Sequence, residues 1–185
     1  MISRDSVDAV ADAVAEQPGL VPDEVDLLVA AWSRERPDLD VAPLEVLSRV
    51  SRLARHLDLA RRESFETHGL EPWEFDVLAA LRRSGGSYAL SPGRLLQLTL
   101  VTSGTMTNRI DRLESQGLVE RTPHHRDKRS IQVRLTEAGR SRVDDALTDL
   151  LAHERAILST LADQDRADLA SLLRRLTLPF EETTA

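Results

Sequence analysis

Residues 100–139 read LVTSGTMTNRIDRLESQGLVERTPHHRDKRSIQVRLTEAG. Thr102 or Ser103 can open a helix and Gly117 can close it. Between them Met106, Ile110 and Leu113 recur at helical spacing as one buried stripe. Leu118–Arg121 and Ile131–Leu135 then alternate as two half-buried strands, and RDKRS at 126–130 gives their connection a basic tip. Thr136-x-x-Gly139 leads into a further helix.

A helix followed by a basic hairpin is the layout of a winged helix-turn-helix, with the helix in the DNA major groove and the hairpin tip beside it. On a helical wheel Gly104, Asn108, Asp111 and Arg112 lie opposite the buried stripe, with Thr105 and Thr107 on its flanks. Ser103, Thr105 and Thr107 are short polar residues near the helix start that can approach base edges. Asn108 can read an adenine, and Arg112 is assigned to phosphate. In the tip, Arg126, Lys128 and Arg129 are the basic residues, flanked by His124 and His125.

The net charge of −7 at first argues against a nucleic-acid partner, but the charge is segregated. Residues 91–135 carry eight Lys/Arg against four acids, whereas residues 1–40 carry three Arg against ten acids. Local potential, not net charge, attracts phosphates.

The rest of the chain reads as helix. A short acidic helix is expected over 5–16, then a break at Pro18, Gly19 and Pro22. Asp23 can cap a helix over 24–35 with Val25, Leu28, Val29 and Trp32 on one face. A long helix over about 43–67 buries a stripe of Leu44, Leu47, Val50, Ala54 and Leu57, and Gly69 stops it. Glu71-Pro72 opens a helix with Trp73, Phe75, Val77, Leu78 and Leu81, apolar around most of its circumference and therefore central. Ser91-Pro92 opens a short helix with Leu95 and Leu96. After the hairpin, a helix running to about 162 carries Val143, Leu147, Leu150, Leu151, Ile157 and Leu158, and a last one covers about 164–177. The fold class is mainly α with a small β-hairpin wing.

With 185 residues the chain fits one domain, or one with an arm. No run of 18 apolar residues is present, and the N-terminus lacks a basic start followed by an apolar run, so a cytoplasmic location is expected, with no membrane partner. The chain has no cysteine, which excludes disulfides and thiolate metal sites. The five histidines form no HxxxH or HExxH pair, so no metal site is expected. GxGxxG, GxxxxGK[ST] and GxSxG are absent; no catalytic residue, no enzyme activity and no cofactor are expected.

The string from Ser91 to Gly139 resembles the MarR family of winged-helix regulators, through SGTMTNRIDRLESQGLVER, the RDKRS tip and VRLTEAGR at 133–140. The resemblance covers about residues 43–178. It implies a homodimer with interlocked terminal helices and two winged lobes on a pseudo-palindromic operator. It also implies that Asp127 braces the hairpin and that Arg129 enters the minor groove, where a narrow groove concentrates negative potential. The implied organisation is an acidic arm at 1–20, N-terminal dimerisation and ligand-pocket helices at 21–68, the DNA-binding region at 69–139 and C-terminal dimerisation helices at 140–185.

The segment DLLVAAWSRERPDLD at 26–40 resembles the added N-terminal helix of the branch of this family that responds to urate and related purine metabolites. That branch uses a Trp, an Asp and two Arg, and the matching positions are Trp32, Asp76, Arg109 and Arg121. The chemistry suits a flat monoanion. Trp32 offers a stacking face, each Arg offers charge and a planar fork, and Asp76 accepts from ligand N–H groups or pairs with an Arg. Arg109 lies about 60° from the buried stripe at roughly 100° per residue, so it faces inward. An Asp76–Arg109 pair would tie the recognition helix to the core, and an anionic ligand would perturb it. A phenolic or carboxylic acid is the competing effector. An acidic helical module that binds a protein rather than DNA is the competing function.

Overall fold

The computed structural model describes residues 21–99, 102–123 and 130–181. The helix expected over 5–16 and the tip residues His124, His125, Arg126, Asp127, Lys128 and Arg129 lie outside the described residues. The chain divides into two compact units, Met1–Leu59 and Ala60–Ala185.

In the first unit, α1 (Glu24–Glu35) begins where Asp23 is extended and its carboxylate accepts from the backbone N–H groups of Val25 (2.7 Å) and Asp26 (3.1 Å). The Asp26 carboxylate accepts the Asp23 N–H in return, at 2.7 Å, which completes a capping box. Arg49, on α2 (Ala42–Glu66), donates to Asp23 at 2.8 Å and to Asp26 at 2.6 Å, so the cap is also an ion-pair anchor. That guanidinium, chiefly through its hydrogen bond, holds the Asp23 carboxyl below its ordinary value.

The stripe expected to be buried on α2 is open. Leu47 is 56% and Val50 is 40% exposed, Ala54 is exposed, and Leu44 and Leu57 are half-buried. An amphipathic pattern records a face suited to burial, not which surface covers it.

In the second unit, Pro72 occupies the first position of α3 (Pro72–Arg83), where its missing N–H costs no helical bond. Phe75, Val77, Leu78, Ala79, Ala80 and Leu81 are all buried, which makes α3 the central helix that its apolar circumference predicts. Phe75 stacks on Phe65 with ring centroids 4.1 Å apart. Arg82 reaches Asp144 on α6 (Glu137–Leu158) at 2.8 and 3.1 Å.

After α3 come β1 (Ala89–Leu90), α4 (Pro92–Thr99), α5 (Ser103–Ser115), β2 (Val119–Pro123) and β3 (Ile131–Leu135). The sheet order is β1-β3-β2, all antiparallel, with Val119 opposite Leu135 and Pro123 opposite Ile131. Strand β1 is an addition to the expected elements, since two residues are too few to show alternation. It follows Tyr88, which sits at φ +53°, its ring 4.8 Å from the Arg82 guanidinium and 6.0 Å from that of Arg140.

The expected stripe on α5 is realised: Met106, Ile110 and Leu113 are at most 2% exposed. Gly117 ends that helix at φ +71°, a left-handed conformation that glycine adopts without a Cβ penalty. β2 begins one residue later than expected, because the Leu118 N–H still bonds to Leu113 (3.0 Å) and its carbonyl accepts from Thr136 (3.1 Å). Thr136 then caps α6 by accepting the Gly139 N–H at 3.0 Å, while its hydroxyl donates to the Gly117 carbonyl at 2.7 Å.

Only part of the apolar pattern of α6 is buried. Val143, Ala146 and Leu150 enter the core, while Leu147, Leu151, Ile157 and Leu158 stay exposed, and the helix ends at Leu158 instead of about 162. α7 (Asp163–Glu181) buries no residue. No helix among the described residues is long and apolar enough to cross a membrane.

Candidate nucleic-acid interface

Three buried residues aim α5. With Met106, Ile110 and Leu113 turned into the core, Ser103, Gly104, Thr105, Thr107 and Asn108 are carried to the outer surface, and all five are exposed. The hydroxyls of Thr105 and Thr107 are locally engaged. Thr102 and Thr105 share a hydrogen bond of 2.9 Å, and Thr107 donates to the Ser103 carbonyl at 3.2 Å. Bonds this local can be exchanged for a ligand's groups without disturbing the core.

Strand β2 of the hairpin is tied to α5 by Arg121. Its guanidinium pairs with Asp111 and with Glu114, and its backbone N–H donates to Glu114 at 3.1 Å. The Asp111 hydrogen bond is the largest influence keeping Arg121 charged, with Glu114 adding to it. On the neighbouring strand Arg134 donates to Glu120 at 2.8 Å, across a directly opposed pair. The base of the wing is therefore held by cation–carboxylate bonds. The basic residues of its tip, Arg126, Lys128 and Arg129, lie outside the described residues.

Arg112, the residue assigned to phosphate, is engaged within the protein. Its guanidinium turns back toward α3, donating to Glu71 at 2.5 Å and lying 3.2 Å from Glu74. It also covers the Trp73 ring, 5.3 Å from the centroid. Arg109 lies against the same ring at 5.1 Å. The Trp73 indole N–H donates to Glu71 at 2.7 Å, and this bond first, then Arg112, holds the Glu71 carboxyl below its usual range.

The expected Asp76–Arg109 pair is not made. Asp76 is exposed and meets Arg61 at 3.5 Å, and among the described residues Arg109 has no carboxylate partner. A wheel gives the angle at which Arg109 leaves its helix. It does not say that the guanidinium settles over Trp73, three residues before Asp76, instead. Asp76, Arg109 and Arg121 lie in the second unit, and Trp32, 48% exposed, lies in the first.

Sequence reasoning missed Trp73 and Glu74 as functional candidates. The signal was there in the string Glu71-Pro72-Trp73-Glu74, whose second acid accepts the backbone N–H of the first, set against Arg109 and Arg112 three apart on α5. The described residues contain no group of His and carboxylates able to hold a metal ion.

The MarR family model matches residues 68–130. The HTH-type transcriptional regulator PecS of Dickeya dadantii is 37% identical over 153 residues, covering 83% of this chain and 92% of that protein. The HTH-type transcriptional repressor YetL of Bacillus subtilis is 26% identical over 136 residues, covering 74% of this chain and 81% of the relative. Among solved structures, a mutant of the E. coli MarR protein complexed with operator DNA superposes with a TM-score of 0.59 at 26% identity, covering 75% of this chain and 99% of the other. An outward polar face on α5, a wing strapped to it and these likenesses agree, and the chain belongs to the MarR family of DNA-binding transcriptional regulators.

Proposed function

We propose that the protein is a homodimeric repressor that binds a pseudo-palindromic operator and is released from it by urate or a related planar anion. The observation that carries the DNA part is the outer face of α5, where Ser103, Thr105, Thr107 and Asn108 stand exposed over a fully buried stripe. Arg126, Lys128 and Arg129 flank that helix in sequence at the spacing of a wing tip, and supply the phosphate and minor-groove contacts. Dimerisation is supported by the open apolar positions along α2 and α7, such as Leu47, Leu172 and Leu176, each half or more exposed. The name of the YetL relative supports repression.

The effector reading rests on Trp32, Asp76, Arg109 and Arg121. Arg109 is the coupling residue in this scheme, because it belongs to α5 and lies over Trp73 without a carboxylate partner among the described residues. An anion competing for Arg109 shifts α5 through that residue, and differential contact of this kind is what couples two sites.

The test is fluorescence anisotropy on a duplex enriched from a random library by the protein itself, titrated with urate and, separately, with salicylate. Release by urate alone supports the urate reading. Release by salicylate alone moves the effector to phenolic acids. Failure to enrich any duplex at low salt would remove the operator altogether. Asp76→Ala is expected to keep operator affinity and raise the urate needed for half-release about tenfold, within the usual range of allosteric coupling. A wild-type urate response in that variant would take Asp76 out of the switch.

A further inference from the structure

We propose that the first turn of α3 is the seat that sets the rotation of the recognition helix, with Glu74 and Trp73 as positioning residues for operator reading.

Glu74 is 1% exposed, so its carboxylate has exchanged water for protein donors. Three donors face it: the Glu71 backbone N–H at 2.9 Å, the Gln116 amide at 2.9 Å and the Arg112 Nε at 3.2 Å. Two of the three come from the end of α5, four residues apart and therefore one above the other. Beside Glu74, the Trp73 ring carries Arg109 and Arg112, and Glu71 joins the Trp73 indole to Arg112. Positions 109, 112 and 116 form a second stripe along α5, next to the apolar one. Each of them meets the stretch Glu71–Glu74.

The two stripes do different work. Apolar packing selects which face of α5 is inward, but it is non-directional and tolerates small rolls. Hydrogen bonds to a buried carboxylate weaken steeply with misalignment. Side-chain tips stand about 6 Å from a helix axis, so a roll of about 10° displaces a base-contacting atom by about 1 Å. That displacement is enough to spoil a bidentate base contact, while a flexible phosphate contact survives it. The seat should therefore matter for sequence reading more than for general attraction to DNA.

The experiment compares affinity for the enriched operator duplex with affinity for a random duplex of equal length, using the full chain and its Glu74→Gln, Trp73→Leu and Trp73→Phe variants. Unfolding of a fraction of the protein weakens both affinities by the same factor and leaves their ratio unchanged, so the ratio isolates positioning from stability. Glu74→Gln presents an amide N–H₂ to donors already aimed at that site. It is expected to lower the operator preference about tenfold, the discrimination of roughly one base pair, with random-duplex affinity within about twofold of wild type. Trp73→Leu should do likewise. Trp73→Phe, which keeps a ring face for both guanidinium groups, should recover most of the preference. An unchanged ratio in Glu74→Gln, or a Trp73→Phe no better than Trp73→Leu, would overturn the assignment.

Discussion

Gly139→Ala is expected to cost about 3 kcal/mol or more, at the upper end of overpacking effects and beyond. A Cβ built there stands 2.0 Å from the Leu118 carbonyl oxygen and 2.9 Å from its carbon. These are backbone atoms and cannot swing aside. The same carbonyl accepts the Thr136 N–H at 3.1 Å, and Thr136 also bonds to the Gly117 carbonyl and to the Gly139 N–H. Relief of the clash must therefore break either the α6 cap or the strand entry beyond Gly117. For a chain of this size the loss corresponds to a fall in Tm of about 6–12 °C, measurable by calorimetry or far-UV dichroism. Gly104→Ala is the control. Nothing stands within 4 Å of its Cβ position, and helix propensity alone predicts up to about 1 kcal/mol of gain. Equal melting of Gly139→Ala and wild type would show that α6 does not approach the Leu118 carbonyl this closely.

That junction also shows where sequence reading stops. In the sequence Gly139 is only a residue near a helix start; its reason lies in a backbone 21 positions earlier, and no local pattern encodes it. What periodicity encodes is readable. The stripe of Met106, Ile110 and Leu113, the Asp23 cap, Pro72 at a first turn and the left-handed Gly117 all follow from rules that need only a few neighbouring residues. Strand β1 is two residues long and exists because β3 offers it a free edge. The stripe on α2 lies open against expectation because pattern alone does not name the covering surface.

The site divides the same way. Which residues of α5 face out is legible in the sequence. Where Arg112 and Arg109 direct their charge is not, since that depends on Trp73, Glu71 and Glu74 arriving from a helix some 40 residues earlier in the chain. Glu74 in particular reads as an ordinary helix-surface acid. Its burial follows from three convergent donors that only the tertiary fold assembles.

The geometry of Arg112 makes the salt dependence of binding a decisive measurement. Neutralising the wing tip in Arg126→Ala/Lys128→Ala/Arg129→Ala is expected to reduce the slope of log K against log salt by about 2.7 per chain bound, at about 0.9 for each phosphate no longer neutralised. The deficit at low salt should be correspondingly large, and Arg129→Ala alone should give about a third of the slope change. The strand register ends at the Pro123–Ile131 pair, so residues 124–130 connect the two strands, and this connection bears three of the chain's 24 basic side chains. Arg112→Ala should behave differently. Its charge is already matched by Glu71 and Glu74, so its removal frees no bound counterion and leaves the slope close to wild type, while operator preference falls. Should Arg112→Ala flatten the slope as much as a tip residue does, Arg112 must leave its two carboxylates for a phosphate on binding. The seat on α3 would then be a resting position rather than the bound one. Should the triple variant keep the wild-type slope, the hairpin tip makes no phosphate contact, and the affinity must come from α5 and its neighbours alone.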